Sequence, residues 1–302
     1  MAEEIVYGAP PPELAAPSLD ALQVSPLIPG AEALEDVPDA TVTRAMMLAP
    51  PGTLERRFAL AQALRALRTD GELTALAPKD KGGSRLRKEL ESFGCSVDET
   101  ARRHHRICRA ARPSAPIGVA DAIAAGGPRI APALNLWSQP GVFSWDRLDP
   151  GSAALLAQPL AFAGRGADLG CGLGVLARPV LMSADVTSLT LIDIDARAVA
   201  AARRNIDDPR ALFLHADVRQ PAPDLTDLDF VIMNPPFHDA GHKDSALGVA
   251  FIGAAARMLR KGGVCRLVAN NALPYEAALI AHFVKVVPLA RTGSYKVFEA
   301  RK

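Results

Sequence analysis

The chain has 302 residues, 49% of them hydrophobic and 22% charged, with a formal net charge of +1. This is an ordinary globular composition, enough for one large or two ordinary domains with a buried core. No apolar run reaches bilayer length, so no membrane-spanning helix is expected, whereas so small a net charge leaves nucleic-acid binding open.

Residues 1–40 form a Pro-rich, acidic segment with eight acids and no Lys or Arg, and little regular pattern is expected there. Residues 41–115 read as a small α/β unit. A strand over 42–48 leads into a helix over 53–68, with Thr53 as N-cap and Leu54, Phe58, Leu60, Ala61, Leu64 and Leu67 at helical spacing. A strand over 72–77, a helix over 84–93 stopped by Gly94, and a closing strand over 106–111 complete it. Residues 79–112 carry ten Lys/Arg against five acids, with His104 and His105 among them. Such a stripe is either a phosphate footprint or a solvated helix face. Residues 116–138 read as a linker punctuated by Pro116, Gly126, Gly127, Pro128 and Pro132.

Residues 139–302 alternate strand and helix, the pattern of a doubly wound, mostly parallel sheet. Strands are expected over 165–169, 188–193, 212–215, 230–233 and 264–269. Helices are expected over 153–158, 196–205, 245–259 (stopped by Gly262-Gly263) and 274–283, with a last hairpin over 284–300. The four cysteines (Cys95, Cys108, Cys171 and Cys265) are widely spaced, with no CxxC or Cys/His cluster, so reduced thiols and no metal are expected. The opening Met1-Ala2-Glu3-Glu4 lacks a leader's positive region and apolar core, and a cytoplasmic location is expected.

The candidate chemistry gathers at the carboxyl ends of these strands, where open α/β sheets bind ligands. Asp168-x-Gly170-x-Gly172-x-Gly174 lies between a strand and a helix, where glycines permit a tight turn and close ligand approach. Its spacing differs from the GxGxxG dinucleotide fingerprint, and no Walker Lys follows. Asp193 ends the second strand, where a carboxylate can accept from ribose hydroxyls; Asp195 is the local competitor, read as the cap of the next helix. Asp217 follows the third strand, either as acceptor for an adenine amine or as a turn cap. The fourth strand stops at Asn234-Pro235-Pro236-Phe237, which joins a carboxamide, two carbonyls and an aromatic ring on a backbone stiffened by two prolines. A weak echo, Leu48-Ala49-Pro50-Pro51-Gly52, lies in the first half without the Asn.

Asp168-Leu-Gly-Cys-Gly-Leu-Gly174, Asp193, Asp217 and Asn234-Pro-Pro-Phe237 resemble the motifs of class I S-adenosylmethionine-dependent methyltransferases that act on planar nitrogens. Pro140-Gly-Val-Phe-Ser144, Leu148-Asp-x-Gly-Ser152, Val268-Ala-Asn270, Leu273-Pro-Tyr275 and Lys296-Val-Phe298 narrow the likeness. Together they resemble the ribosomal RNA guanine-N2 methyltransferases, small-subunit methyltransferase C group. The resemblance covers residues 139–302. It implies a seven-stranded Rossmann-like catalytic domain, preceded by a shortened, degenerate methyltransferase-like domain over 41–115 whose early strands and glycine loop are missing or replaced by the Pro-rich start. It implies S-adenosyl-L-methionine as cofactor and ribosomal RNA or a ribosomal subunit as partner, with no membrane and no metal; it implies no oligomeric state. Gly170, Gly172 and Gly174 would let the methionine and ribose part lie against the backbone, Asp168 would hold that loop or the cofactor's amino group, Asp193 would bind the ribose and Asp217 the adenine. Phe143 and Ser152 would close over the methionine end. Asn234 and the Pro235 carbonyl would accept from the guanine amine while Phe237 stacks on the base. The alternatives are an adenine-N6 or protein glutamine methyltransferase on the same scaffold, or a non-enzymatic RNA-binding or assembly factor on an inactive one.

Overall fold

A computed structural model describes residues 3–220, 225–236, 238–239, 242–243 and 245–302, the two short pairs as backbone. Contacts divide the chain into two units, residues 1–129 with 139–141, and residues 130–138 with 142–302. This division differs from the boundaries expected at 40, 115 and 138.

The first unit holds β1 (Glu4–Tyr7), β2 (Leu22–Gln23), β3 (Val42–Leu48), α1 (Thr53–Ala66), β4 (Leu67–Pro78), α2 (Ser84–Ser92), β5 (Val97–Arg102), β6 (His105–Ala111) and α3 (Val119–Gly126). Its sheet runs β2-β1-β3-β4-β6-β5. The Pro-rich start therefore contributes two strands. β1 is buried along its whole length and pairs in parallel with both β2 and β3. The basic stretch is not one helix face, because β5 and β6 pair antiparallel across Arg103 and His104, both at positive φ. Thr53 lies inside α1, and Gly52 occupies the cap position without a side-chain bond. α1 buries Leu60, Leu64 and Ala61 completely, and with them the whole of Arg56. The Arg56 guanidinium donates to both carboxylate oxygens of Glu89, each at 2.7 Å, and to the carbonyls of Pro50 and Pro51 at 3.2 and 2.7 Å. The buried charge is thereby paired with a carboxylate and hydrogen-bonded to two carbonyls.

The second unit begins with a short ladder of β7 (Arg129–Ala131) and β8 (Leu136–Ser138). It continues through α4 (Pro150–Leu156), β9 (Gly164–Leu169), α5 (Ala177–Val180), β10 (Val186–Asp193), α6 (Ala196–Asn205), β11 (Ala211–His215) and β12 (Leu228–Met233). After the two-residue strands β13 (His238–Asp239) and β14 (His242–Lys243) come α7 (Ser245–Met258), β15 (Leu259–Asn270), α8 (Tyr275–His282), β16 (Lys285–Thr292) and β17 (Tyr295–Arg301). The seven-stranded sheet runs β11-β10-β9-β12-β15-β17-β16. β11 through β15 are parallel, and only β17 runs against its neighbours β15 and β16. This is the expected doubly wound sheet. Its central strands are near-continuous apolar runs because both faces are covered; Phe230, Val231, Ile232 and Met233 are all buried. α7 stops at Met258, ahead of Gly262-Gly263, and β15 starts at the next residue.

The two sheets share an order. β2-β1-β3-β4-β6-β5 matches β10-β9-β12-β15-β17-β16 pair by pair, parallel for parallel and antiparallel for antiparallel. Among the described residues, the first unit's sheet has no counterpart of the outer strand β11. Its early strands are present, and the paired prolines after β3 and β12 occupy matching positions.

Candidate active site

β9 pairs with β10 on one side and β12 on the other, so successive connections leave the sheet in opposite directions at β9. The carboxyl edge at such a switch point is a natural crevice. Asp168 and Leu169 at the end of β9 stand beside Ile232 and Met233 at the end of β12, which brings the glycine turn and Asn234 to one edge.

A cleft there is walled by Phe143, Ser144, Asp149, Ser152, Gly170, Gly172 and Asn234, among others. Gly172 has φ of +53°, and a Cβ built on it would meet nothing within 4 Å, so its bare backbone faces open space. Gly174 is outside the cleft wall. Its φ is +79°, and a Cβ would come within 2.7 Å of Ile206 Cδ1, so this glycine serves the packing of the segment after α6. Phe143 sits at the rim, 59% exposed.

Asp168 is fully buried, and neither carboxylate oxygen has a hydrogen-bond partner. Burial, and secondarily the charge of Asp193, pushes its ionisation up to about 8. An orphaned buried carboxyl of this kind calls for a cationic donor. Asp193 accepts from Gly172 N at 2.8 Å and from Asp195 N at 2.9 Å, which anchors the glycine turn to the end of β10. Burial lifts its ionisation to about 6, against the lowering effect of those N–H groups. Asp195 caps α6 through Arg197 N, as its position predicts. Asp217 accepts Arg219 N and both oxygens bond the Arg219 guanidinium, which holds its carboxyl below the usual range. The structure therefore gives Asp217 the turn-cap geometry. Burial holds the Cys171 thiol well above its ordinary ionisation.

Asn234 is half-buried at the cleft, followed by buried Pro235. Its Nδ2 donates to Asp149 Oδ2 at 2.8 Å and to Ser152 Oγ at 2.9 Å. Ser152 thus stands against the carboxamide. Asp149, quoted in the sequence only as part of a motif, is the residue that sequence reasoning missed. The signal was present: Asp-Pro-Gly-Ser is a helix start with Asp as N-cap and Pro at the first helical position, and Asp149 Oδ2 accepts Ser152 N at 2.7 Å. Phe237 and the His238 side chain lie outside the described residues. Among the described residues no cluster of three or more His, Cys, Asp or Glu could hold a metal, and no helix is long and apolar enough to cross a membrane.

The methyltransferase small domain family matches residues 133–299. A ribosomal RNA small subunit methyltransferase C of Pseudomonas aeruginosa is 32% identical over 271 residues, covering 88% of this chain and 81% of the relative. One from Haemophilus influenzae is 35% identical over 174 residues, covering 56% of this chain and 51% of the relative. The solved 16S rRNA N2 methyltransferase of T. Thermophilus, in complex with AdoMet and guanosine, superposes with a TM-score of 0.80 at 24% identity, covering 100% of this chain and 88% of that one.

Proposed function

The chain belongs to the ribosomal RNA small subunit methyltransferase C family, within the methyltransferase small domain family, and we propose that it methylates the exocyclic N2 amine of a guanine in small-subunit ribosomal RNA, with S-adenosylmethionine as donor. The observation that carries this reading is Asn234, tethered through Nδ2 beside a glycine turn whose neighbour Asp168 is a buried carboxyl with no partner.

The residues fit the cofactor. Asp168 would hold its ammonium, the open backbone at Gly172, with Gly170 beside it in the cleft wall, would take its methionine and ribose part, and Asp193 retains lone pairs for ribose hydroxyls. When bound, the cofactor supplies an electrophilic sulfonium methyl. The task left to the chain is to make a poor nucleophile react. The guanine N2 lone pair is delocalised into the ring. Two acceptors on its two N–H groups, the Asn234 Oδ1 and the Pro235 carbonyl, favour a pyramidal nitrogen and aim that lone pair. No strong base is required during attack, because the alkylated nitrogen is acidic and sheds its proton readily. Catalysis is then positioning and electrostatic preorganisation. Phe237 would stack on the flipped base, a contact worth about 1–3 kcal/mol.

The first unit is read as a methyltransferase-like domain without a site of its own. After β1 the chain runs Gly8-Ala9-Pro10-Pro11-Pro12 where β9 is followed by the glycine turn. Beside its paired prolines, the Arg56 guanidinium occupies the Pro50 carbonyl, the counterpart of the Pro235 carbonyl that a guanine amine would meet in the second unit. Action on ribosomal RNA makes the cytoplasm its place of work.

The test is methyl transfer from labelled S-adenosylmethionine to separate small and large subunits lacking native methylation, followed by nucleoside mass spectrometry. N2-methylguanosine confined to the small subunit supports the reading. Label on adenosine or on protein glutamine would replace guanine with one of the other planar-nitrogen acceptors.

A further inference from the structure

We propose that Asp149, seconded by Ser152, is the positioning residue that sets which end of the Asn234 carboxamide faces the acceptor amine. The inference rests on the proposed planar-nitrogen chemistry and adds the device that makes Asn234 competent for it. An Asn side chain presents an oxygen or an NH2 according to a rotation of half a turn, and only the oxygen can accept from an amine. At Asn234 the choice is made by chemistry. An ionised carboxylate only accepts, so Asp149 Oδ2, 2.8 Å away, must face Nδ2. The second Nδ2 hydrogen goes to Ser152 Oγ at 2.9 Å. Both donors are thereby spent, and Oδ1 is the end left for substrate.

Asp149 and Ser152 are 9% and 8% exposed, so water competes weakly for these bonds. The carboxylate is itself fixed by its bond from Ser152 N at 2.7 Å. Its negative charge also polarises the carboxamide, which strengthens Oδ1 as an acceptor while positive charge develops on the attacked nitrogen.

The discriminating variant is Asp149→Asn. Asn caps helices about as well as Asp, so α4 keeps its cap. The acceptor-only character and the charge are lost, and Asn234 is free to rotate. The expected result is a fall in kcat of about 10²-fold, with unchanged affinity for S-adenosylmethionine and unchanged Tm. In an Asn234→Ala background, Asp149→Asn should have no further effect on kcat, because its action passes through the residue already removed. Ser152→Ala, which leaves the carboxylate in place, should show a smaller loss with the same dependence on Asn234. Selective 15N-asparagine labelling supplies a readout independent of turnover. The chain has five Asn residues, and the Asn234 side-chain signal, identified by its loss in Asn234→Ala, should be exchange-protected and should lose protection in Asp149→Asn. Full kcat in Asp149→Asn, an equal loss with and without Asn234, or an unprotected Asn234 amide in the native chain would overturn the proposal. Methylation of a different nucleoside would instead overturn the guanine assignment and leave the orientation test standing.

Discussion

Replacing Asp168 by Asn should make the chain more stable at alkaline pH and weaker for its cofactor. The buried Asp168 carboxyl ionises near 8 in the folded chain against an ordinary 3.8. Between pH 5 and 8 the unfolded carboxyl is ionised and the folded one is protonated, so folding takes up a proton and stability falls as pH rises. The slope is about 1.4 kcal/mol per pH unit, or about 4 kcal/mol over that range. Asp193, ionising at about 6 in the folded chain, adds about 1 kcal/mol of loss between pH 5 and 6. Carboxyls such as Asp217 and Asp229 are lowered by Arg219 and by the Arg165 N–H, respectively. Their stabilisation is lost only as pH falls below the ordinary carboxylate range, so they do not slope here. In Asp168→Asn the slope above pH 6 should vanish. At pH 5 the native carboxyl is protonated and is as buried and unpaired as the carboxamide that replaces it, so the two proteins should be about equally stable there, and the variant about 4 kcal/mol more stable at pH 8.5. Denaturant unfolding at the two pH values tests this, and calorimetry should show weakened S-adenosylmethionine binding. Parallel pH dependence in the two proteins would refute the claim that an unpartnered carboxyl waits at the end of β9.

Other consequences follow from the same geometry. Glu89→Gln leaves the buried Arg56 charge poorly paired and should destabilise the first unit by about 3–5 kcal/mol in chemical unfolding; a loss under 1 kcal/mol would mean that water reaches the pair. Gly174→Ala forces a methyl against Ile206 at positive φ and should lower Tm, whereas Gly172→Ala costs only about 1–2 kcal/mol of backbone strain and should act on cofactor affinity; the reverse pattern would exchange their roles. Arg57, Arg85 and Lys88 line a cavity of about 440 Å³ with Ser84, Ser92 and Glu89, and both Glu89 carboxylate oxygens are taken by Arg56. Reversing all three charges should weaken binding to ribosomal RNA and reduce its salt slope by about 2–3; an unchanged slope would make the cluster an ordinary solvated surface.

The second half was legible because its strands are short apolar runs punctuated by polar turns. β12 with Asn234 and β9 with Asp168 can be located from local pattern alone. The first half hid its strands. β1 has four residues and β2 two, set among prolines, and they are strands only because β3 lies alongside β1 and β1 alongside β2. β5 escaped notice because it is a mostly exposed edge strand with little alternation. Within the site, residue types and order were readable, but partnerships across long separations were not. Nothing local in Asp-Pro-Gly-Ser says that its carboxylate reaches Asn234, 85 residues away. The counterpart of the Asn-Pro-Pro turn was visible as an echo around Pro50-Pro51, while its filling by Arg56 required the fold.

The most direct measurement compares native chain and Asn234→Ala for N2-methylguanosine formed in small-subunit RNA under single-turnover conditions at saturating S-adenosylmethionine. The account predicts a rate lower by about 10²–10³-fold in the variant, with cofactor affinity unchanged. Equal rates would contradict it and remove Asn234 from the chemistry.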